Sequence, residues 1–202
     1  MALTEARATM KLPVCIIDLE SDILCPSCQE KLDTGQISNF DIEFSRWLLQ
    51  KSKEYPELAD LHLLRAVRVD GRLILIVKKK SRDVLLALED LMEEIREQYG
   101  EVLILEGPAK LRTIVRKLIA PAIEVGINSL YLPDGFRESI VVLREVDRGR
   151  IPYTKEELRQ IVSAVTGETV LFEYQDEREK KEEEQAPDVL EKKIQEFTRK
   201  RR

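Results

Sequence analysis

The sequence predicts an α+β fold built from two tandem units of the same plan. In each unit an amphipathic helical segment precedes two short apolar strands, a second helix and a third strand. An Asp-Gly pair joins the two strands in both units, at residues 70–71 and 134–135, and a glycine follows the second helix in both, Gly100 and Gly167. A chain of 202 residues is long enough for two such units. We therefore expect two α-β-β-α-β units in succession.

These patterns divide the chain into four segments. The segments are an N-terminal strand with a CxxC motif (11–40), a first unit (41–107), a second unit (108–175) and a charged linker with a short C-terminal helix (176–202). The run Met-Lys-Leu-Pro-Val at residues 10–14 is typical of a natural opening, so residues 1–9 are expected to lie outside the fold.

The first elements are predicted from local composition. Residues 14–17 are apolar, rich in β-branched side chains and bounded by Pro13 and Asp18, which predicts a strand. An amphipathic helix follows, with Asp41 as its N-cap, and Pro56 ends it. Its apolar stripe requires a sheet to cover.

The first unit then reads as a hairpin, a helix and a third strand. The Asp-Gly connection favours a type I′ turn, and Gly100 ends a helix capped by Ser81 or Asp83. The predicted strands are residues 61–69, 72–77 and 102–105.

The second unit repeats this order, with an Asp-Arg-Gly-Arg-Ile-Pro loop before its second helix. Thr154 and Glu157 have the spacing of a capping box at the start of that helix, and Gly167 is its predicted C-cap. The other predicted elements are a helix at 111–119 and strands at 127–132, 139–143 and 170–174.

The run from residue 61 to 107, with helix 41–54 before it, resembles a KH domain of the prokaryotic type, or type II. The version it is similar to occurs in archaeal proteins related to the transcription factor NusA. Residues 127–174 resemble a shorter form of the same plan, and Cys-Pro-Ser-Cys (25–28) and Arg-Glu-Val-Asp-Arg-Gly-Arg-Ile-Pro (144–152) are also typical of that group. The resemblance implies an RNA-binding protein of the transcription or translation machinery.

The chain departs from this family at one functional element. A working KH domain carries a GXXG loop between its two helices, where backbone amides approach the phosphates of the RNA. The loop should fall at residues 87–90, Ala-Leu-Glu-Asp, which contain no glycine. Glu89 and Asp90 would repel a phosphate, and we expect one helix to run through this position. No residue of this chain is therefore assigned the phosphate-binding role of the GXXG loop.

Cys25 and Cys28 have the CxxC spacing of half a zinc knuckle. A complete site needs two more ligands, for which the chain offers Cys15 and His62, although Cys15 in an apolar strand is expected to be a buried small side chain. Three alternatives remain: a four-residue zinc site, two CxxC pairs that share an ion across a dimer, and a surface turn without metal. A redox role is disfavoured because no helix is expected at the cysteines.

Basic residues follow the second strand of each unit, where a strand ends and a helix begins. Positive side chains and free amides at such a position can meet a phosphate. The alternative is a pair of solvated loops without a ligand. The candidate RNA-binding residues are Lys78, Lys79, Lys80 and Arg82 in the first unit and Arg144, Arg148 and Arg150 in the second.

Charge and motif content exclude several classes of function. A net charge of −5 argues against a protein that coats nucleic acid through charge alone, although residues 176–184 hold much of the acidity. No catalytic motif is present, so we expect no enzyme activity. No apolar run of the ~18 residues of a membrane span and no secretion signal is found, and we expect a cytoplasmic protein. Two functions remain: RNA association, and an adaptor on RNA polymerase or the ribosome that has lost RNA binding.

Overall fold

The computed structural model describes residues 10–108, 110–131 and 137–177. The chain is α+β, as predicted, and divides into two compact units, Met1–Lys110 and Leu111–Arg202. Each contains a three-stranded mixed sheet. The predicted N-terminal extension, the Asp-Gly turn at 134–135 and the C-terminal helix lie outside the described residues.

The first unit places its sheet after three helices. Strand β2 is the middle strand of this sheet, antiparallel to β1 and parallel to β3. The elements are α1 (Ile16–Ser21), α2 (Pro26–Asp33), α3 (Asn39–Lys51), a 3-10 helix (Pro56–Asp60), β1 (Leu63–Val69), β2 (Arg72–Val77), α4 (Lys79–Ala87), α5 (Glu89–Tyr99) and β3 (Glu101–Glu106).

The predicted hairpin turn is confirmed. Asp70 and Gly71 have φ angles of 46° and 76°, and positive φ at both central residues is the signature of a type I′ turn. Gly100, which ends α5, also has a positive φ of 86°. A Cβ atom at Gly100 would meet the carbonyl oxygen of Gly71, so the start of β3 lies directly against the hairpin turn.

Helix α3 forms as predicted but begins earlier. Ser38 is the N-cap, and its hydroxyl accepts a hydrogen bond from the Asp41 amide while the Asp41 carboxylate accepts one from the Ser38 amide. Asp41 is fully buried, and its Oδ1 accepts a 2.6 Å hydrogen bond from the amide of Ala66 in the edge strand β1. The predicted N-cap role of Asp41 is therefore wrong, because this carboxylate joins the helix to the sheet.

The strand predicted at residues 14–17 is also wrong. Cys15 is the N-cap of α1, and Ile16 and Ile17 lie in the first turn of that helix. Ile17 is 77% exposed while Val14 and Leu19 are buried, so the apolar run does not lie on one covered face. Short β-branched runs do not distinguish a strand from a helix when no neighbouring strand is available to pair with them.

The helix predicted to run through residues 87–90 is broken. Helices α4 and α5 meet at Leu88, whose φ of −94° and ψ of 71° are not helical. The N-cap of α4 is Lys78, and neither Ser81 nor Asp83 caps the helix. Ser81 is buried, and its hydroxyl accepts a 2.8 Å hydrogen bond from the His62 amide.

The second unit repeats the sheet of the first. Strand β5 is the middle strand, antiparallel to β4 and parallel to β6. The predicted capping box of Thr154 and Glu157 and the C-cap at Gly167, with φ of 73°, are confirmed. The elements are α6 (Leu111–Ile119), β4 (Gly126–Tyr131), β5 (Arg137–Leu143), a 3-10 helix (Glu145–Asp147), α7 (Lys155–Thr166) and β6 (Thr169–Tyr174).

Within the three described ranges, no helix is both long enough and apolar enough to cross a membrane.

Candidate functional site

Three thiols and a carboxylate come together at the start of the first unit. The donor atoms of Cys15, Asp18, Cys25 and Cys28 all lie within 4.8 Å of one another. The three cysteines are free thiols. These four residues therefore lie close enough to hold a metal ion.

The starts of two helices position these donors in the same way. Cys15 is the N-cap of α1 and Asp18 is the third residue of that helix, while Cys25 is the N-cap of α2 and Cys28 is its third residue. Pro26 occupies the first position of α2, where its missing amide hydrogen costs nothing. The expectation that no helix starts at the CxxC motif was wrong. A signal for Asp18 was present, since Cys-x-x-Asp has the same spacing as Cys-x-x-Cys.

Hydrogen bonds hold the cluster together. The Cys25 amide donates to Asp18 Oδ2 over 3.0 Å, and the Cys15 amide donates to Cys28 Sγ over 3.5 Å. The Cys28 and Cys15 sulfurs are 3.6 Å apart. Each contact joins an α1 residue, or its cap, to the start of α2, so the two helices form one compact cluster.

The acid–base state of the cluster follows from burial and these contacts. Burial, reinforced by the neighbouring Asp18 carboxylate, raises the pKa of the Cys28 thiol to about 12. Hydrogen bonds from the Cys28 and Cys25 thiols and from the Cys25 amide lower the pKa of Asp18. A carboxylate is thus held ionised beside a thiol that keeps its proton. A divalent cation would replace that proton, because thiolate is the form that binds metal.

The donor set fits a tetrahedral ion. Zinc–sulfur bonds of about 2.3 Å place two sulfur ligands about 3.8 Å apart, and the Cys15–Cys28 separation of 3.6 Å is close to this value. His62 lies outside the cluster, where Lys11 pairs with it in a parallel bridge, and burial lowers its pKa. Of the alternatives, a zinc site that includes His62 is therefore not formed. The expectation that Cys15 is a buried side chain was wrong, since Cys15 is exposed.

The cluster is attached to the core of the first unit. Cys28 is fully buried in the same hydrophobic core as Val14, Leu19 and the buried face of α3. Arg46 of α3 donates from Nε to the carbonyl oxygen of Leu19 over 3.3 Å. Any ion held by the cluster would therefore tie α1 and α2 to this core.

The basic loop of the first unit is exposed at the start of α4. Lys78 is the N-cap and Lys79 and Lys80 form the first turn, and none of the three has an ion-pair partner in the described part of the chain. Arg82 has one, because its Nη1 lies 3.5 Å from Glu106 Oε1. The three lysines therefore add their charge to the positive end of the helix dipole.

The basic loop of the second unit has internal partners. Arg144 is exposed just before the 3-10 helix, and Arg150 lies 3.2 Å from Asp147. Arg148 lies 3.2 Å from Glu177, and its guanidinium stacks 4.3 Å from the centre of the Tyr174 ring. Arg148 and Arg150 must exchange these partners before they can contact a phosphate.

The α4–α5 junction lies where a GXXG loop was expected. Glu89 and Asp90 are exposed at the start of α5, and Leu86 is 48% exposed at the end of α4. A cavity of about 360 Å³ opens here. Its lining residues are Leu86, Glu89, Met92, Glu93 and Arg96.

Comparisons with known proteins identify no family for this chain. No family model and no curated protein matches it. Among solved structures, the crystal structure of APE1850 is similar, with 19% sequence identity and a TM-score of 0.44 over 56% of this chain and 88% of that one. A similarity of this size supports no argument about function, which must therefore come from the sites themselves.

Proposed function

We propose that this protein is a non-catalytic, RNA-associated protein with two KH-like units of the prokaryotic type, and that it acts within the transcription or translation machinery. One observation carries this proposal. In both units the basic loop follows the middle strand of a sheet with the same strand order and leads into a helix. The proposed identity as a relative of archaeal NusA-like proteins rests on the sequence resemblance alone.

The mode of binding follows from the missing glycines. Without a GXXG loop the backbone at residues 87–90 cannot cradle phosphates, and Glu89 and Asp90 repel them. The phosphates would then be contacted by the lysines at the start of α4 and by the arginines of the second unit. Such binding depends on charge, so it is weak, sensitive to salt and poor in sequence preference.

Charge reversal in the lysine loop tests RNA association. The double variant Lys79→Glu with Lys80→Glu should weaken binding of a fluorescein-labelled single-stranded RNA of mixed sequence by more than about tenfold in fluorescence anisotropy. The control variant, Lys53→Glu with Arg68→Glu, changes the charge equally at two other exposed positions of the first unit. Undetectable binding by the wild type, or equal losses in both variants, would contradict the proposal.

We further propose that the cysteine cluster holds one zinc ion in a structural role. Four protein ligands, as Cys15, Asp18, Cys25 and Cys28 would provide, leave no open position for a substrate, which is typical of a structural site. The ion would supply a cross-link between α1 and α2. The chain's own residues otherwise hold the two helices together through the contacts described above.

Metal analysis of purified variants tests the ligand set. The wild type should contain one zinc ion per chain, while Cys28→Ser and Asp18→Ala should lose it. His62→Asn is the decisive control, because it removes the ligand that the sequence suggests and that lies outside the cluster. Zinc loss in His62→Asn, zinc retention in Asp18→Ala, or a metal-free wild type from zinc-supplemented cells would overturn the assignment.

The cavity at the α4–α5 junction favours the alternative function, an adaptor that docks on RNA polymerase or the ribosome. Its exposed Leu86 and the carboxylates of Glu89 and Glu93 suit an amphipathic basic peptide. For an adaptor, co-purification with the machine from the native cells should survive nuclease treatment and be lost in the variant Glu89→Lys with Glu93→Lys. Loss on nuclease treatment alone favours RNA association.

A further inference from the structure

A cavity of about 310 Å³ opens beside the first turn of α7 in the second unit. Two cationic side chains, Arg148 and Lys155, and two aromatic ones, Tyr153 and Tyr174, line it together with the carboxylate of Glu177. Lys155 is the first residue of α7, a helix of 12 residues, so the cavity also lies at the positive end of a helix dipole. The two cations and the helix dipole attract an anion, whereas the Glu177 carboxylate is itself an anion.

In the free protein, the carboxylate of Glu177 lies between the two cations of this cavity. Lys155 Nζ lies 2.8 and 2.7 Å from its two oxygens, and Arg148 Nη2 lies 3.2 Å from one of them. The Tyr174 amide is a third donor, at 3.5 Å. Two cations and a backbone amide thus converge on Glu177, and Arg148 Nη2 also lies 3.5 Å from Asp176 Oδ2.

The surrounding side chains hold the two cations in place. The Arg148 guanidinium is 4.3 Å from the centre of the Tyr174 ring, and Lys155 Nζ is 5.8 Å from the same centre. Hydrogen bonding to Lys155 lowers the pKa of Glu177, so this carboxylate stays ionised at neutral pH. Contacts with Glu177 and the Tyr174 ring therefore orient the partly exposed Lys155 and Arg148 side chains.

A phosphate group suits the same donors. It presents charged oxygens to arginine and lysine as a carboxylate does, and it carries more acceptor atoms. Tyr153, the half-buried tyrosine of the lining, offers an aromatic ring of the kind on which nucleic acid bases stack, whereas Tyr174 is buried beneath Arg148. Glu177 uses the donors of Arg148 and Lys155, so a phosphate bound to the same donors would compete with its carboxylate.

We propose that Arg148 and Lys155 form a phosphate-binding site for RNA, and that Glu177 occupies this site in the free protein and leaves it when RNA binds. The inference rests on the proposed RNA association, to which it adds a site and its internal competitor. Neither Lys155 nor Glu177 was among the residues suggested by the sequence.

Opposite effects of two substitutions test the proposal. In RNA anisotropy, Glu177→Gln should strengthen binding by about fivefold, the equivalent of one exposed ion pair, and Lys155→Gln should weaken it. Glu173→Gln and Arg159→Gln are the charge-matched controls, since both lie in the same unit and outside the cavity. An ion pair with a purely structural role predicts the same direction of change for Glu177→Gln and Lys155→Gln, because both break it, and that result would overturn the proposal.

Inorganic phosphate separates this inference from the proposed function. In the full-length protein, the NMR signals of the Lys155 and Glu156 amides should shift at lower phosphate concentration in Glu177→Gln than in the wild type, and not in Glu177→Gln with Lys155→Gln. If no variant binds RNA but this difference appears, RNA association fails and the phosphate site stands. If RNA binds and Glu177→Gln behaves as Glu173→Gln does, the site fails. Should Glu177→Gln unfold, Glu177→Asp replaces it, because it keeps the charge and shortens the reach.

Discussion

The carboxylate of Asp41 accepts hydrogen bonds from two elements of the first unit. Its Oδ2 receives the Ser38 amide and hydroxyl, at 2.7 and 2.9 Å, and its Oδ1 receives the Ala66 amide at 2.6 Å. Since β1 is an edge strand, no further strand can satisfy that amide. Removal of the carboxylate would leave the buried Ala66 amide and the half-buried Ser38 amide without their acceptor.

We expect Asp41→Ala to lower the free energy of unfolding by about 2–4 kcal/mol, because one buried and two half-buried hydrogen bonds are lost at once. Urea denaturation followed by circular dichroism measures this change. Asp83→Ala is the matched control at an exposed aspartate of the same unit, and it should change the free energy by less than about 0.5 kcal/mol. Equal effects of the two variants would exclude the anchoring role of Asp41.

Gly100 is required for two separate reasons. Its φ of +86° strains any other residue, and a Cβ atom would meet the carbonyl oxygen of Gly71. Gly35 also has a positive φ, of +71°, but a Cβ atom there would meet no other atom within 4 Å. Gly35→Ala should therefore cost about 1 kcal/mol of unfolding free energy, and Gly100→Ala clearly more. Thermal unfolding of both variants checks this order, and a smaller loss for Gly100→Ala would refute the close approach.

The cysteine cluster shows the limit of prediction from single residues. The spacing of Cys25 and Cys28 indicated metal binding, and Cys15 was recognised as a third thiol. Asp18 was missed because carboxylates are abundant in this sequence, with 38 Asp and Glu residues, so that the Cys-x-x-Asp spacing alone did not single it out. His62 was suggested because it is the one histidine of the chain.

At the scale of elements, helix α6 is tied to the segment that follows it by one buried carboxylate. Arg116 Nε lies 2.9 and 3.0 Å from the two oxygens of Glu124, and Arg112 Nε lies 3.6 Å from one of them. The hydrogen bond from Arg116 lowers the pKa of Glu124. The two arginines that share a face of this helix are thus paired within the unit.

The ion pair between Arg116 and Glu124 should make the stability of the protein depend on pH. Because the pKa of Glu124 is lower in the folded state, its stabilising effect is complete above the unfolded value of about 4.5 and is lost as the pH falls below it. We expect the unfolding free energy of the wild type to decline from about pH 5 downwards, and Glu124→Gln to decline less. Urea denaturation at a series of pH values measures both. Glu145→Gln, at an exposed site, should follow the wild type; if Glu124→Gln does so as well, the pair does not act as described.

Two element assignments failed for one physical reason. Residues 14–17 have strand composition and residues 81–99 have continuous helical periodicity, yet the first form the start of a helix and the second break at Leu88. In both cases the packing of neighbouring elements decided between local conformations of similar energy. The hairpin and the two glycine-ended helices were predicted correctly because their signals are confined to a few residues.

At the scale of the whole molecule, the net charge of −5 means that the proposed RNA binding would have to occur through local basic regions. The seven candidate basic residues of the two loops can neutralise at most seven phosphates, to which Lys155 would add one. For single-stranded RNA, four to seven contacts correspond to a slope of log K against log salt of about −3 to −5.

We expect this slope from RNA anisotropy between low and physiological salt, and a smaller slope, by roughly 1.5, in Lys79→Glu with Lys80→Glu. The Lys53→Glu, Arg68→Glu control should keep the wild-type slope. A slope near zero in the wild type would mean that charge does not drive binding, and the basic loops would lose their proposed role.

Local chemistry in the sequence specifies the duplicated α+β plan, the type I′ turn and the capping box of α7, because each depends on neighbours within a few residues. The functional groupings required the folded chain. Cys15 meets Cys28 across 13 residues, Lys155 meets Glu177 across 22, and Asp41 meets Ala66 across 25. Contacts at such separations form when helices and strands pack together, and packing depends on the shape of the whole unit, which no local pattern records.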